Sequence, residues 1–295
     1  MAFFNPHHRM LTSFVTRTAL ICCLYGLAPG LHAHEFWFTP VASPQSVGDT
    51  VNLRLEVGEF FVGEAAGFSV SSTRTLRHYR SGQTTQDLRP FLPTEAPEAE
   101  VALALDTPGI HLLAYDSAPQ HITLEAAKFH AYLHDEGLDF VKTQREQAGT
   151  ANEPARERYR RHIKTLIEVG PVPQAELALD PTYALHAGQR LELMPARNPL
   201  ALAPGAALPI TVLFDKQPLA GALVKAWHKH SGQLVMIRAA TSAQGQVTFD
   251  LPYAGDWMVS VVHMIPAAGD DAEGVDWDSF WGNLTFHLPG QSLSK

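Results

Sequence analysis

Histidine outnumbers cysteine in this sequence 15 to 2, so imidazole rather than thiolate is the metal-ligating group it offers beside its carboxylates. Four of the histidines stand where metal ligation is chemically reasonable: His34, His263, His130 and His134. His34 opens the block His34-Glu35-Phe36-Trp37, directly after a stretch that reads as a cleavable leader. Cleavage after Ala33 makes His34 the first residue of the mature chain. A first-residue histidine offers the α-amine and ring Nδ1 to one ion, and the amine, with an ordinary pKa of about 7.7–8.0, loses its proton to a divalent metal near neutrality. Such nitrogen donors suit copper, nickel, cobalt and zinc. The aromatics Phe36, Trp37 and Phe38 must bury, and so are expected to pin the terminus.

A chelating terminus needs further ligands. His263 lies in the strand-like run Val259–Ile265, where alternation puts it on the face of Val259, Val261 and Ile265 and turns Met264 the other way. His130 and His134 fall at i, i+4 of a helix-like segment, one turn apart. His228 and His230 share one face of a strand, with Cβ atoms about 7 Å apart. Glu35 and Glu59 are candidate oxygen ligands or partners that orient a histidine. The acidic loop Gly269–Asp278 lacks the ligand spacing of a hard-cation site and reads as solvated, with Trp277 turned inward.

The leader covers residues 1–33. Arg9 and Arg17 are its only charges, 19–27 (ALICCLYGL) is a short apolar core, and Leu31-His32-Ala33 closes it in small-residue style. Cys22 and Cys23 both fall inside it. The mature chain then has no thiol ligand, disulfide or cysteine nucleophile. It carries 20 basic residues against 30 acidic, a net charge of −10, once Arg9 and Arg17 leave the total of 22 Lys+Arg and 30 Asp+Glu. That acidity argues against nucleic acid as partner. No apolar run reaches the 18 residues a spanning helix needs. The sequence has no Gly-x-Ser-x-Gly elbow, His-Glu-x-x-His pair, Walker loop or dinucleotide fingerprint, and an enzymatic role is not expected.

The elements that position these residues are mostly strands. Val51–Val57 alternates apolar and polar residues after the turn Ser46–Asp49. Similar runs recur at 110–115, 122–124, 191–194, 208–214, 222–228, 234–239, 246–251, 257–264 and 283–288. Between them, 125–136 and 138–147 read as helices, and Tyr159, Ile163, Leu166 and Ile167 extend the helical reading to Gly170. The expectation is a mostly β protein of two antiparallel β-sandwiches, 34–184 and 185–295, with a helical insertion at about 125–170.

Several blocks together carry a family resemblance: His34-Glu35-Phe36-Trp37; Lys128-Phe129-His130-Ala131-Tyr132-Leu133 with Glu136-Gly137-Leu138; Arg156-Glu157-Arg158-Tyr159; Pro218-Leu219-Ala220-Gly221-Ala222; and Val262-His263-Met264 with Asp276-Trp277. In this order, across nearly the whole mature chain, they resemble the NikM-like (NikK-type) periplasmic proteins, a domain-of-unknown-function family associated with nickel or cobalt uptake. The resemblance implies immunoglobulin-like or transthyretin-like sandwiches and delivery of a divalent transition metal, nickel above cobalt or copper, to a membrane transporter permease. Family members often carry Asn at the position of His130, so a ligand role for His130 does not follow from it. The rival readings are a β-sandwich scaffold or adhesion module without metal, and a copper oxidase built on the N-terminal histidine. Intact-mass measurement of the exported protein should return a chain beginning at His34; any other start removes the terminal chelate.

Overall fold

The computed structural model describes residues 1, 34–94, 97, 100–269 and 272–290. The leader over 1–33, apart from Met1, and the loop residues Asp270 and Asp271 lie outside the described residues. The strands of the first half are β1 (Glu35–Phe38), β2 (Thr50–Glu59), β3 (Val62–Ala66), β4 (Thr73–Arg80), β5 (Gln86–Asp87), β6 (Glu100–Ala104), β7 (Gly109–Ser117) and β8 (Gln120–Leu124). Helices α1 (Ala126–Asp135) and α2 (Asp139–Gln147) follow, then the long strand β9 (Ala155–Val169) and α3 (Gln174–Leu179). The second half contains β10 (Leu191–Pro195), β11 (Ala207–Phe214), β12 (Gln217–Pro218), β13 (Leu223–His230), β14 (Gln233–Ala240), β15 (Gln246–Asp250), β16 (Gly255–Pro266) and β17 (Trp277–Leu288).

The expected sandwiches form, and they share a layer. A nine-stranded sheet runs β14-β13-β16-β17-β9-β7-β4-β5, with β8 beside β9. Its neighbours are antiparallel except β17 and β9, which pair in parallel, Trp277 opposite Glu157 and Leu284 opposite Lys164. One four-stranded sheet (β1, β2, β3, β6) and another (β10, β11, β12, β15) cover it. They lie on opposite faces, as the alternation of β7 shows. Leu113 and Tyr115 join the core under the first small sheet; Ile110, Leu112 and Ala114 join the core under the second. The expected boundary between residues 184 and 185 falls at the end of the 3-10 turn Pro181–Ala184, while the central sheet draws strands from both sides of it.

The helical insertion is shorter than expected. Helices α1 and α2 occupy their predicted places and bury Phe129, Tyr132, Leu133 and Val141 against Val262, Met264, Trp277 and Trp281 of β16 and β17. Gly137 ends the first of them at φ +70°, a conformation glycine adopts without strain. The expectation of a third helix over 152–170 is overturned: Ala155–Val169 is the strand that joins the two halves. Its last eight residues are buried on both faces, so no polar alternation marks it as a strand. The β-branched Ile163, Thr165, Ile167 and Val169 outweigh the helical spacing of Tyr159, Ile163 and Leu166. Lys164 lies inside this strand, its Nζ 2.6 Å from Glu192 Oε1 and 3.2 Å from the carbonyl oxygen of Leu193. The arginines of this strand engage carboxylates of the 276–278 segment. Arg156 pairs with Asp276, and Arg158 and Arg160 share Asp278.

These positions give a test of β9. Lys164→Ala should lower unfolding free energy in urea by about 3–5 kcal/mol, because it strands the buried Glu192 carboxylate. A loss under about 1 kcal/mol would return Lys164 to a solvated helix.

Candidate metal-binding terminus

Strand β1 is buried along its length. Glu35 is 7% exposed, Phe36 8%, and Trp37 and Phe38 1% each. It pairs antiparallel with β2, Glu35 opposite Gly58 and Phe38 opposite Leu55. Phe36 packs at 5.7 Å from Tyr115, under the guanidinium of Arg161 at 4.7 Å. Phe38 meets Phe68 and Tyr115, each at 6.4 Å. Trp37 faces the other way, 5.6 Å from Phe61, in a small cluster with Trp227 and Met258. Its indole lies across Gly63, where a Cβ would stand 2.8 Å from Cη2. Asn283 Nδ2 donates to the carbonyl oxygen of Phe36 at 2.7 Å, tying the strand to β17.

His34 therefore emerges from a fixed strand. Its ring Nε2 lies 3.7 Å from Glu59 Oε1, both side chains about two-fifths exposed. Next to Glu59, the turn at Phe60 and Phe61 takes left-handed φ of 55° and 57°, and the exposed Phe60 ring stands edge-on to Trp227 at 6.2 Å.

The other histidines do not join it. Ser260 of β16 faces Glu35, whereas His263, three residues on, points through the opposite side of the central sheet. There it packs edge-on to Phe214 at 4.5 Å and 6.4 Å from Phe140, and burial lowers its pKa to about 4. The alternation thus sets His263 on the face of the central sheet opposite the one that Glu35 reaches. On α1, His134 is exposed with Nδ1 3.4 Å from Asp139 Oδ1, while His130 has its Nε2 buried without a hydrogen-bond partner. Among the described residues, no group of three or more His, Cys, Asp or Glu side chains is arranged around a common metal position.

Behind the terminus lies a buried polar network for which the sequence held little signal. Glu35 Oε1 accepts a hydrogen bond from Ser260 Oγ at 2.8 Å, and Ser260 Oγ accepts one from Trp227 Nε1 at 2.9 Å. Lys225 Nζ meets Glu136 Oε2 at 2.7 Å. Further along, Glu157 Oε1 accepts from Ser279 Oγ and from Tyr132 OH, and Trp281 Nε1 donates to Ser279 Oγ at 3.3 Å. Burial, reinforced by the negative charge of Glu136, raises the Glu35 pKa to about 7 against the pull of Lys225, Ser260 and Arg161. Burial also takes Glu157 to about 7, opposed by its hydrogen bonds. Glu35 is thus no solvated carboxylate. Its place between His34 and three aromatics in one strand was the available clue, since alternation sets it on the same buried side as Trp37.

The fold and this site define a mostly β protein with sandwich layers around a shared sheet and a histidine, His34, directly preceding β1. Residues 31–265 match the family model described as "Domain of unknown function (DUF4198)". The chain belongs to that family. No curated protein matches. Among solved structures, the chain is similar to the D0-D1 domain of Intimin at 10% identity and a TM-score of 0.20, covering 85% of this chain and 97% of that one. It is likewise similar to the fibronectin(III)-like modules of Clostridium thermocellum CbhA, at 10% identity and a TM-score of 0.20, with 88% and 97% covered. No helix among the described residues is long and apolar enough to cross a membrane.

The raised carboxyl pKa values set a pH dependence. Folded Glu35 and Glu157 titrate near 7 rather than 4.5, so the native state binds more protons than the unfolded chain between those values. Their stabilising contribution is complete below pH 4.5 and is lost as pH rises to 7. Glu35→Gln and Glu157→Gln should therefore narrow the parent's fall in Tm between pH 5 and pH 8. His78 and His263, both lowered to about 4, act with the opposite sign, but parent and variants share them. An unchanged pH 5 to pH 8 difference in both variants would show that neither carboxyl is held protonated.

Proposed function

We propose that this protein is a periplasmic carrier of a divalent transition metal, nickel or cobalt with copper as a competitor, which it passes as cargo to a membrane transporter permease. The observation that carries the reading is His34, fixed by a buried strand, with its Nε2 beside Glu59. A carboxylate near Nε2 favours the proton on that nitrogen, so that Nδ1 is the ring nitrogen a metal would take. Once the leader is removed, the α-amine of His34 closes a six-membered chelate ring with Nδ1. Two nitrogens with remaining positions open to water suit an ion that must be taken up and released again. Lowering the entropy of both donors is the work of β1, because a frayed terminus would have to be ordered on binding. Metal preference follows supply as well as affinity, since nitrogen sites bind copper tightest in solution whichever ion the cell delivers.

The test uses the chain beginning at His34, a variant with one alanine placed before it, and Glu59→Gln. Titration calorimetry with Ni²⁺ and Cu²⁺ should show affinity for the terminal site falling about tenfold or more in the extended chain, and about 10- to 100-fold in Glu59→Gln, the usual effect of losing an orienting partner. Affinity unaffected by the added alanine overturns the terminal chelate. Absence of binding below about 100 μM for either ion, a weak-affinity limit, leaves a β-sandwich scaffold without cargo.

A further inference from the structure

We propose a second transition-metal site, separate from the terminus, in which His228 and His230 at the end of β13 ligate one borderline divalent ion through their imidazole nitrogens. The two residues are i, i+2 on a strand, so their side chains leave the same face. That face of the central sheet is the one opposite Glu35: His228 pairs with Trp257, which belongs to the core under the second small sheet.

The His228 ring is a prepared ligand. It is 3% exposed and stacks on Trp257 at 4.6 Å, with ring planes 14° apart. Its Nδ1 lies 2.8 Å from the carbonyl oxygen of Asp256. A carbonyl only accepts, so Nδ1 carries the proton and Nε2 holds the lone pair. That Nε2 is buried with no hydrogen-bond partner. A backbone carbonyl fixing one ring nitrogen while the other presents a lone pair is the arrangement that orients metal-bound histidines. The chain also clears space beside the reactive edge. Gly255 sits at φ +111°, and a Cβ there would come within 3.3 Å of His228 Cε1.

His230 supplies the second donor from the exposed side of the same hairpin. Its ring centroid is 6.1 Å from that of His228. With metal–nitrogen bonds of about 2.0–2.1 Å, two imidazoles on one ion have centroids at most roughly 6.5 Å apart, so the observed spacing needs only a side-chain rotation of His230. Tyr253 stacks on both rings, 3.8 Å from His230 and 5.7 Å from His228, and so links the exposed imidazole to the buried one. Water completes the coordination. Such an open two-histidine site favours Cu²⁺ over Ni²⁺ and Zn²⁺.

The site is independent of the terminal chelate, and one set of titrations separates them. The probe is Cu²⁺ in glycine buffer, added to the chain beginning at His34, to the same chain extended by one alanine, and to each with His230→Ala. His230 is exposed, so this substitution leaves the fold intact, which equal Tm values confirm. Without metal-site interference, the extended chain should keep one Cu²⁺ equivalent, and His230→Ala in that background should weaken it at least tenfold. Copper should also broaden the His228 and Tyr253 ring resonances of the extended chain before those of other residues. Equal stoichiometry and affinity with and without His230, or broadening that spares His228 and Tyr253, overturns the second site whatever happens at His34. Loss of binding on alanine extension alone, with the His230-dependent equivalent retained, tells only on the terminus.

Discussion

The structure depends on the burial of β1 against three partners at once. Phe36 and Phe38 complete the core beneath the first small sheet, Trp37 closes the cluster with Phe61 and Trp227, and Glu35 reaches Ser260 in the central sheet. Burying three aromatic side chains contributes several kcal/mol of apolar transfer free energy, at about 25 cal/mol per Å². A four-residue strand held only by its ladder to β2 would otherwise fray. The same contacts that hold the small sheet on the large one therefore hold residue 34 still, opposite Glu59.

Burial of so much polar chemistry follows from how the layers meet. The central sheet is covered on both faces, and where the first small sheet gives way to α1 and α2 the charged residues Glu35, Glu157 and Lys225 are buried. There Lys225 is matched to Glu136, Glu35 to Ser260 and Glu157 to Ser279, and on the face under the second small sheet Lys164 to Glu192. A buried charge without a partner shifts its pKa until it is neutral. Glu35 and Glu157, which have hydroxyl rather than cationic partners, are the carboxyls raised to about 7. Lys164, facing a carboxylate, is lowered by burial but opposed by Glu192. This network joins the two halves of the chain through hydrogen bonds as well as through the β9–β17 ladder.

Much of this was legible in the sequence where one face of an element meets water. The alternation of Val51, Leu53 and Leu55 located β2, and Phe129, Tyr132 and Leu133 located α1. Orientation on β16 was legible too: His263 shares its face with Val259 and Val261, and Met264 faces the helices. Elements buried on both sides were not, because period two leaves no polar trace there. That is why β9 read as a helix and why its union of the two sandwiches in one sheet went unforeseen. At the site, His34 and the anchoring aromatics could be read directly, and Glu59 could be named but not placed. The separation of His263 from His34 depends on which strands pair across the sheet, and local pattern does not encode it. The carbonyl of Asp256 behind His228 is a backbone contact 28 residues away, invisible to any reading of side-chain types.

Hydrogen exchange at β1 tests most directly whether the terminus is anchored. The amide of Thr39 donates to Arg54 O at 3.0 Å, and the alternation of an antiparallel ladder places Trp37 in the next hydrogen-bonded pair. In the chain beginning at His34, the Trp37 amide should exchange only on global unfolding, with the protection of the buried amides of β9. Exchange of Trp37 at the rate of an unstructured chain end, while β9 stays protected, would contradict the anchoring on which the proposed metal capture by His34 rests.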